Sequence, residues 1–160
     1  MRTQARAVSV GLAVSMLVLA ASLPAQAGDP FTGTWKLNVA KSTYDPGPAP
    51  KSATVTIAAA GQGRKVTSKG VDAQGKPTGI AYTANFDGKD YPVTGSPDYD
   101  MVSLKRVDAN TVATTRKKGG KVVQTMTSVV AKDGKSYTST ATGTNAKGEK
   151  IHTVAVYEKQ

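Results

Sequence analysis

Gly33-Thr34-Trp35-Lys36-Leu37-Asn38 holds the only tryptophan of the chain and opens everything that follows an apolar leader. Downstream come short strand-like runs separated by turn residues, so the Trp35 strand has to lie against them and close their core. From Phe31 onward Thr, Val, Tyr and Ile dominate, and apolar and hydroxyl residues alternate. No window sustains apolar residues at i, i+3, i+4, i+7 for three turns, so helix is expected to be scarce.

Immediately after this stretch, Ala40-Lys41-Ser42 is expected to form one short helical turn. The remainder of 39–51 is expected to cross the surface as an extended loop, either as a lid over an opening or as a simple strap. Pro46, Pro48 and Pro50 forbid a ladder strand there, because each lacks the backbone donor and fixes φ. Beyond Lys51 hairpin chemistry recurs at intervals of roughly 9 to 14 residues. Gly61-Gln62-Gly63, Asp87-Gly88, Gly119-Gly120 and Asp133-Gly134 are the clearest turns. Nine strands result, at about 52–60, 64–71, 78–86, 89–94, 99–107, 111–118, 121–132, 135–143 and 150–158; the tryptophan strand makes ten. Ten antiparallel strands joined by tight turns avoid two long exposed edges by curling until first meets last. The expected fold class is therefore all-β, a single closed antiparallel up-and-down β-barrel, with a two-sheet sandwich as the alternative. Ile80, Tyr82, Ala84 and Phe86 share one face, as do Val102 and Leu104. In 122–130 and 151–157 both faces are similarly apolar, and alternation cannot assign them.

Upstream, Met1 to Ala27 reads as a secretory signal peptide. Arg2 and Arg6 form the positive n-region, an apolar run follows to Leu23, and Ala25-Gln26-Ala27 is a small-x-small cleavage pattern before Gly28. The run from Ala7 to Leu23 is 17 positions, broken by Ser9, Gly11, Ser15 and Ser22. A membrane span needs about 20, so no transmembrane anchor is expected after cleavage. The exported domain, periplasmic or extracellular, is then 28–160, and with no cysteine in the chain burial and strand pairing must stabilise it unaided. Without Arg2 and Arg6 it carries 19 basic against 11 acidic residues, a net charge of +8. Much of that charge sits beside glycines in turns, which fits solubility and edge protection, with attraction to an anionic envelope surface as the functional alternative. Nucleic acid is not an expected partner, because the one dense basic cluster, Arg116-Lys117-Lys118 with Lys121, has no aromatic residue among it.

The Gly33-x-Trp35 motif at the start of a barrel's first strand resembles the lipocalins and their calycin relatives. The sequence is also similar, from Gly33-Thr34-Trp35-Lys36-Leu37-Asn38 to Asp87-Gly88-Lys89-Asp90-Tyr91-Pro92-Val93-Thr94-Gly95, to small exported bacterial proteins described as lipocalin-like. Ten strands fit the fatty-acid-binding and nitrobindin-like branch better than the eight-stranded one. The resemblance implies that Trp35 stoppers the closed end of the barrel under a basic side chain, with Lys159 the first candidate and Arg106 the second.

Chemistry is harder to find. His152 is the only histidine, which excludes a His pair, and leaves proximal haem ligation by one His formally open beside the plainer reading of an ordinary strand residue. No serine lies in Gly-x-Ser-x-Gly. Asp87, Asp90, Asp98 and Asp100 cluster around one hairpin but match no calcium loop and read as turn formers. No catalytic residue, metal or cofactor is therefore expected. The expectation is non-enzymatic binding of a small apolar or amphipathic molecule inside the barrel, with Tyr82, Phe86, Val102 and Leu104 lining it and Tyr91 and Tyr99 near the entrance. The alternative is a ligand-free, envelope-associated interaction module that works through its basic surface.

Overall fold

The computed structural model describes residues 28–160, so the leader and its cleavage site lie outside the described residues. Eleven strands run in chain order: β1 (Gly33–Leu37), β2 (Thr43–Asp45), β3 (Ser52–Ala60), β4 (Gly63–Val71), β5 (Pro77–Asn85), β6 (Tyr91–Thr94), β7 (Met101–Asp108), β8 (Thr111–Lys118), β9 (Lys121–Val130), β10 (Ser136–Thr144) and β11 (Lys150–Lys159). From β3 to β11 each pairs antiparallel with the next. β1 closes the ring, with Gly33 to Lys36 set against Ile57 to Thr54 of β3, and Trp35, Lys36 and Leu37 against Lys159, Glu158 and Tyr157 of β11. The architecture is thus a closed antiparallel barrel rather than a sandwich.

One segment differs from expectation. Past a 3-10 turn at Val39–Lys41, Thr43 to Asp45 do not cross the surface as loop but return to β11, pairing with Val154, Thr153 and His152. The cause is local. Asn38 caps the turn by accepting from the Lys41 amide, and the Ser42 hydroxyl donates to Asn38 O at 2.7 Å while accepting from the Val156 amide at 3.0 Å. That seam holds the chain beside an edge of β11 that would otherwise have no ladder partner. β1 and β2 therefore act as one interrupted strand, and the barrel has ten strand positions. The prolines from 46 to 50 are strand-free, as their missing donors require.

Alternation sets the interior. Val55 and Ile57 of β3, Val66 of β4, Ala84 of β5, and Val102 and Leu104 of β7 are buried. On β9 the inward set is Gln124, Ser128 and Val130, while Val122 and Val129 are 58% and 44% exposed. That assigns a strand whose two faces read alike in sequence: the barrel turns a polar face inward and leaves valines outside. On β11 the inward set is Ile151, Thr153, Ala155 and Tyr157.

Among the described residues two apolar clusters pack inside the barrel. One occupies the closed end, where Phe31 and Trp35 have no exposed surface and pack with Val55, Ile57, Val66, Val112, Val130 and Tyr137. The Trp35 indole N–H donates to the Phe31 carbonyl at 2.8 Å, and the Tyr137 ring stands edge-on to both, 5.0 Å from Trp35 and 5.7 Å from Phe31. The second cluster, Ala84, Tyr99, Val102 and Leu104, backs the wall where β6 contributes only two paired residues to each neighbour. Side-chain packing there supports a stretch of wall with few ladder bonds.

Trp35→Ala removes a wholly buried indole and its hydrogen bond, and is expected to cost about 3 to 5 kcal/mol of folding free energy. Urea unfolding followed by far-ultraviolet circular dichroism measures it; a loss below about 1 kcal/mol, the scale of an ordinary surface change, contradicts the closed-end role.

Candidate functional site

The closed-end cluster does not reach the far end of the barrel. Between it and the opposite rim lies a cavity of about 850 Å³. Its rim is formed by the proline segment at Pro50, the β4–β5 turn at Asp72 to Thr78, and the Gly95–Tyr99 loop. Walls of Ala53, Val55, Ile57, Val66, Ile80 and Ala141 give it an apolar side. Tyr44, Tyr82, Tyr99, Tyr137 and Tyr157, with Arg64, Arg116, Gln124 and Ser139, give it a polar one.

Arg64 comes from the start of β4, where its alternation partner Val66 also points inward. It is only 3% exposed, and among the described residues its Nε and Nη1, themselves without accessible surface, have no hydrogen-bond partner. Its guanidinium lies 4.9 Å from the Phe31 ring centre and 5.6 Å from that of Phe86, so aromatic faces rather than a carboxylate meet the charge. Arg116, half-buried on β8, donates to Gln124 Oε1 at 2.9 Å and to Met126 Sδ at 3.1 Å, and lies 4.6 Å over the Tyr99 ring. Gln124 is fixed in turn by its amide N–H bond to Thr144 O at 3.0 Å. Tyr137 and Tyr157 stack with ring centres 4.7 Å apart.

Burial shifts the phenols upward. Burial pushes Tyr137 well above the ordinary tyrosine value, and nearby Tyr157 and Tyr82 push the same way, while Arg64 and Arg116 oppose. Burial likewise raises Tyr157, Tyr82 and Tyr44. At neutral pH these phenols are hydroxyl donors, not phenolates.

The residues singled out in the sequence fall into three places. Tyr82 and Tyr99 border the cavity. Phe86, Val102 and Leu104 do not: Phe86 lies between the Arg64 and Arg106 guanidinium groups, the latter at 4.1 Å, and Val102 and Leu104 are packed solid in the second cluster. Tyr91 is also off the cavity wall; its hydroxyl donates to Asp87 Oδ2 at 2.8 Å, and burial of the ring against the second cluster is partial. The expected entrance around 90–100 is thus divided, with Gly95 to Tyr99 on the cavity and Asp90 to Pro92 away from it. At the closed end Gly33 takes φ +138, and a Cβ there would stand 3.0 Å from Lys159 Cε. The Lys159 ammonium sits 5.1 Å from the Trp35 ring centre, while Arg106 pairs with Asp29 at 3.1 Å. His152 is exposed on the outer face of β11, so it cannot present an imidazole to a group inside. The four clustered aspartates disperse: Asp87 accepts from the Lys89 amide and Tyr91, Asp90 pairs with Lys117 at 2.7 Å, Asp98 accepts from the Ala146 amide and Asp100 from the Gly119 amide. Arg64, Gln124, Tyr137 and Tyr157 were not singled out from the sequence as cavity residues, and Arg116 was read only as part of a basic surface cluster. Parity with Val66 and with Val112 on their own strands was the available signal for the two arginines.

No protein-family model matches the sequence, and comparison with curated proteins finds no match. Among matching solved structures is the zebrafish ileal bile acid-binding protein complexed with cholic acid, with a TM-score of 0.47 and 10% identity, the match covering 82% of this chain and 99% of that one.

Because folding raises the buried phenols above their unfolded value of 10.0, their contribution to stability is complete below that pH and is lost as pH rises above it. Unfolding free energy is expected to be flat near neutrality and to fall through the tyrosine range, with phenolate absorbance appearing late and together with unfolding. Tyr137 and Tyr157 titrating freely near 10.0 in the folded protein would contradict the buried arrangement.

Proposed function

We propose that the protein is a non-enzymatic binder of a small amphipathic molecule, held in the barrel interior. The observation that carries this reading is the cavity itself: about 850 Å³ of space with an apolar wall facing a polar one, beneath a rim of loops. A volume of that order lies within the range of small-molecule sites. The apolar wall favours a hydrocarbon body, at roughly 25 cal/mol per Å² withdrawn from water, and the phenols and guanidinium groups orient a polar end. Binding is favoured over catalysis because the walls carry protonated phenols and arginines, while the two carboxylates at the rim, Asp72 and Asp98, are taken up by backbone amides of Gln74, Lys76 and Ala146. On this reading the leader-like residues Met1 to Ala27 direct the chain to the periplasm or the exterior, where it carries its ligand.

A fluorescent apolar probe is expected to bind saturably at one site per chain and to be excluded by Thr153→Trp, which fills the cavity from a half-buried wall position. Absence of uptake, with salt-sensitive adsorption to anionic envelope polymers in its place, would favour the surface-module alternative and overturn the cavity reading.

A further inference from the structure

Five of the six tyrosines of the chain line the cavity. The sixth, Tyr91, lies off it, and among the described residues it is the one tyrosine whose hydroxyl donates to a protein acceptor, Asp87. The hydroxyls of Tyr44, Tyr82, Tyr99, Tyr137 and Tyr157 donate to no other described residue, and none of their oxygens is sealed from solvent, so each opens on the cavity. They are spread along its depth. Tyr137 and Tyr157, paired across β10 and β11, stand at the closed-end cluster, and Tyr82 packs against both clusters. Tyr44, opposite Thr153 on β11, and Tyr99 in the rim loop stand toward the mouth. The acceptors on the same walls are taken. Gln124 Oε1 and Met126 Sδ accept from Arg116, and the Ser139 hydroxyl is bonded to that of Ser128 at 2.6 Å. The unpartnered nitrogens of Arg64 have no accessible surface and offer nothing to an occupant. Free donors therefore face the cavity at several levels. A hydrocarbon chain entering it would displace the water that these hydroxyls bond and leave them unpaired.

We infer that the cavity takes a neutral, flat aromatic polycycle carrying oxygen acceptors, carbonyl or ether, at several points along its length. This rests on the reading of the cavity as a ligand site and adds where the polar atoms of its occupant lie. A single polar head answers the donors at one level only; acceptors distributed over the body answer those near the floor, midway and at the rim. The donors are fixed on β2, β5, β10, β11 and the rim loop, so a rigid body meets them without the ordering cost that a flexible chain incurs. Phenol rings meet other aromatic rings favourably, offset or edge-on, and Val55, Ile57, Val66 and Ile80 supply an aliphatic wall for the remaining surface of the ligand. No charge is needed on the occupant, because the Arg116 guanidinium already meets the Tyr99 ring, Gln124 and Met126.

The test displaces a bound apolar dye from the full exported domain with three compounds. These are 5,7-dimethoxyflavone, which has acceptors along its length and no donor; 2-phenylnaphthalene, of similar outline without oxygen; and decanoate, with one anionic head on a chain. The flavone is expected to bind at least about tenfold tighter than either of the others, the scale of one or two net hydrogen bonds. Tyr44→Phe, Tyr82→Phe and Tyr157→Phe keep the rings and remove the donors. Each should weaken flavone binding about three- to tenfold and leave 2-phenylnaphthalene as tight or tighter. Tyr91→Phe, off the cavity, should change neither. Equal or tighter binding of 2-phenylnaphthalene or decanoate would overturn the distributed-acceptor reading, as would Tyr→Phe variants that weaken both aromatic compounds alike or neither; in each case dye binding still upholds the cavity. Failure of the dye itself to bind overturns the cavity reading beneath it.

Discussion

The structure depends on one short strand that has to satisfy two neighbours at once. β1 is five residues long, yet it pairs with β3 on one side and β11 on the other, and without it the sheet would keep two open edges. Trp35 sits at the middle of that junction, opposite Val55 and Lys159. Its indole reaches into the floor, where it bonds to Phe31 O and meets the Tyr137 ring. The same residue therefore closes the sheet laterally and the barrel axially. Asp29, tied to Arg106 and to the Phe31 amide, holds the entering chain across that floor.

What the floor does not fill becomes the cavity. Large side chains are concentrated at the closed end and behind β5 to β7, whereas the walls toward the rim are Ala53, Ser68, Gly79, Ser139, Ala141 and Thr153. A lining of such small residues in a ring of this circumference cannot meet at the axis, so the interior stays hollow. The polar part of that lining comes from Arg64, Arg116, Gln124, Ser139 and the tyrosines.

Turn chemistry and alternation made the fold legible. The Gly-rich and Asp-Gly hairpins mark where strands end, and the inward sets of β5 and β7 can be read directly from Ile80, Tyr82, Ala84 and from Val102, Leu104. The cavity was much less legible, for a physical reason: its wall is partly polar, so the usual equation of inward with apolar breaks down. On β9, Val122 and Val129 face water while Gln124 and Ser128 are buried. Arg116 reads as the first member of a basic hairpin tip with Lys117 and Lys118, yet its parity with Val112 turns it inward while Lys117, of the other parity, reaches Asp90 outside. Thr43 to Asp45 looked like the entry to a proline loop because their partner on β11 lies more than a hundred residues away, and no local pattern announces such a pairing.

The central claim is that the first strand seals the barrel by joining both ends of the sheet around Trp35. Nuclear Overhauser contacts measured on the folded exported domain test it most directly. The account predicts cross-strand backbone contacts from Trp35 to both Val55 and Lys159, together with an indole proton that exchanges slowly with solvent. Contacts to only one of the two strands, or an indole proton lost to exchange as fast as in a free peptide, would contradict it.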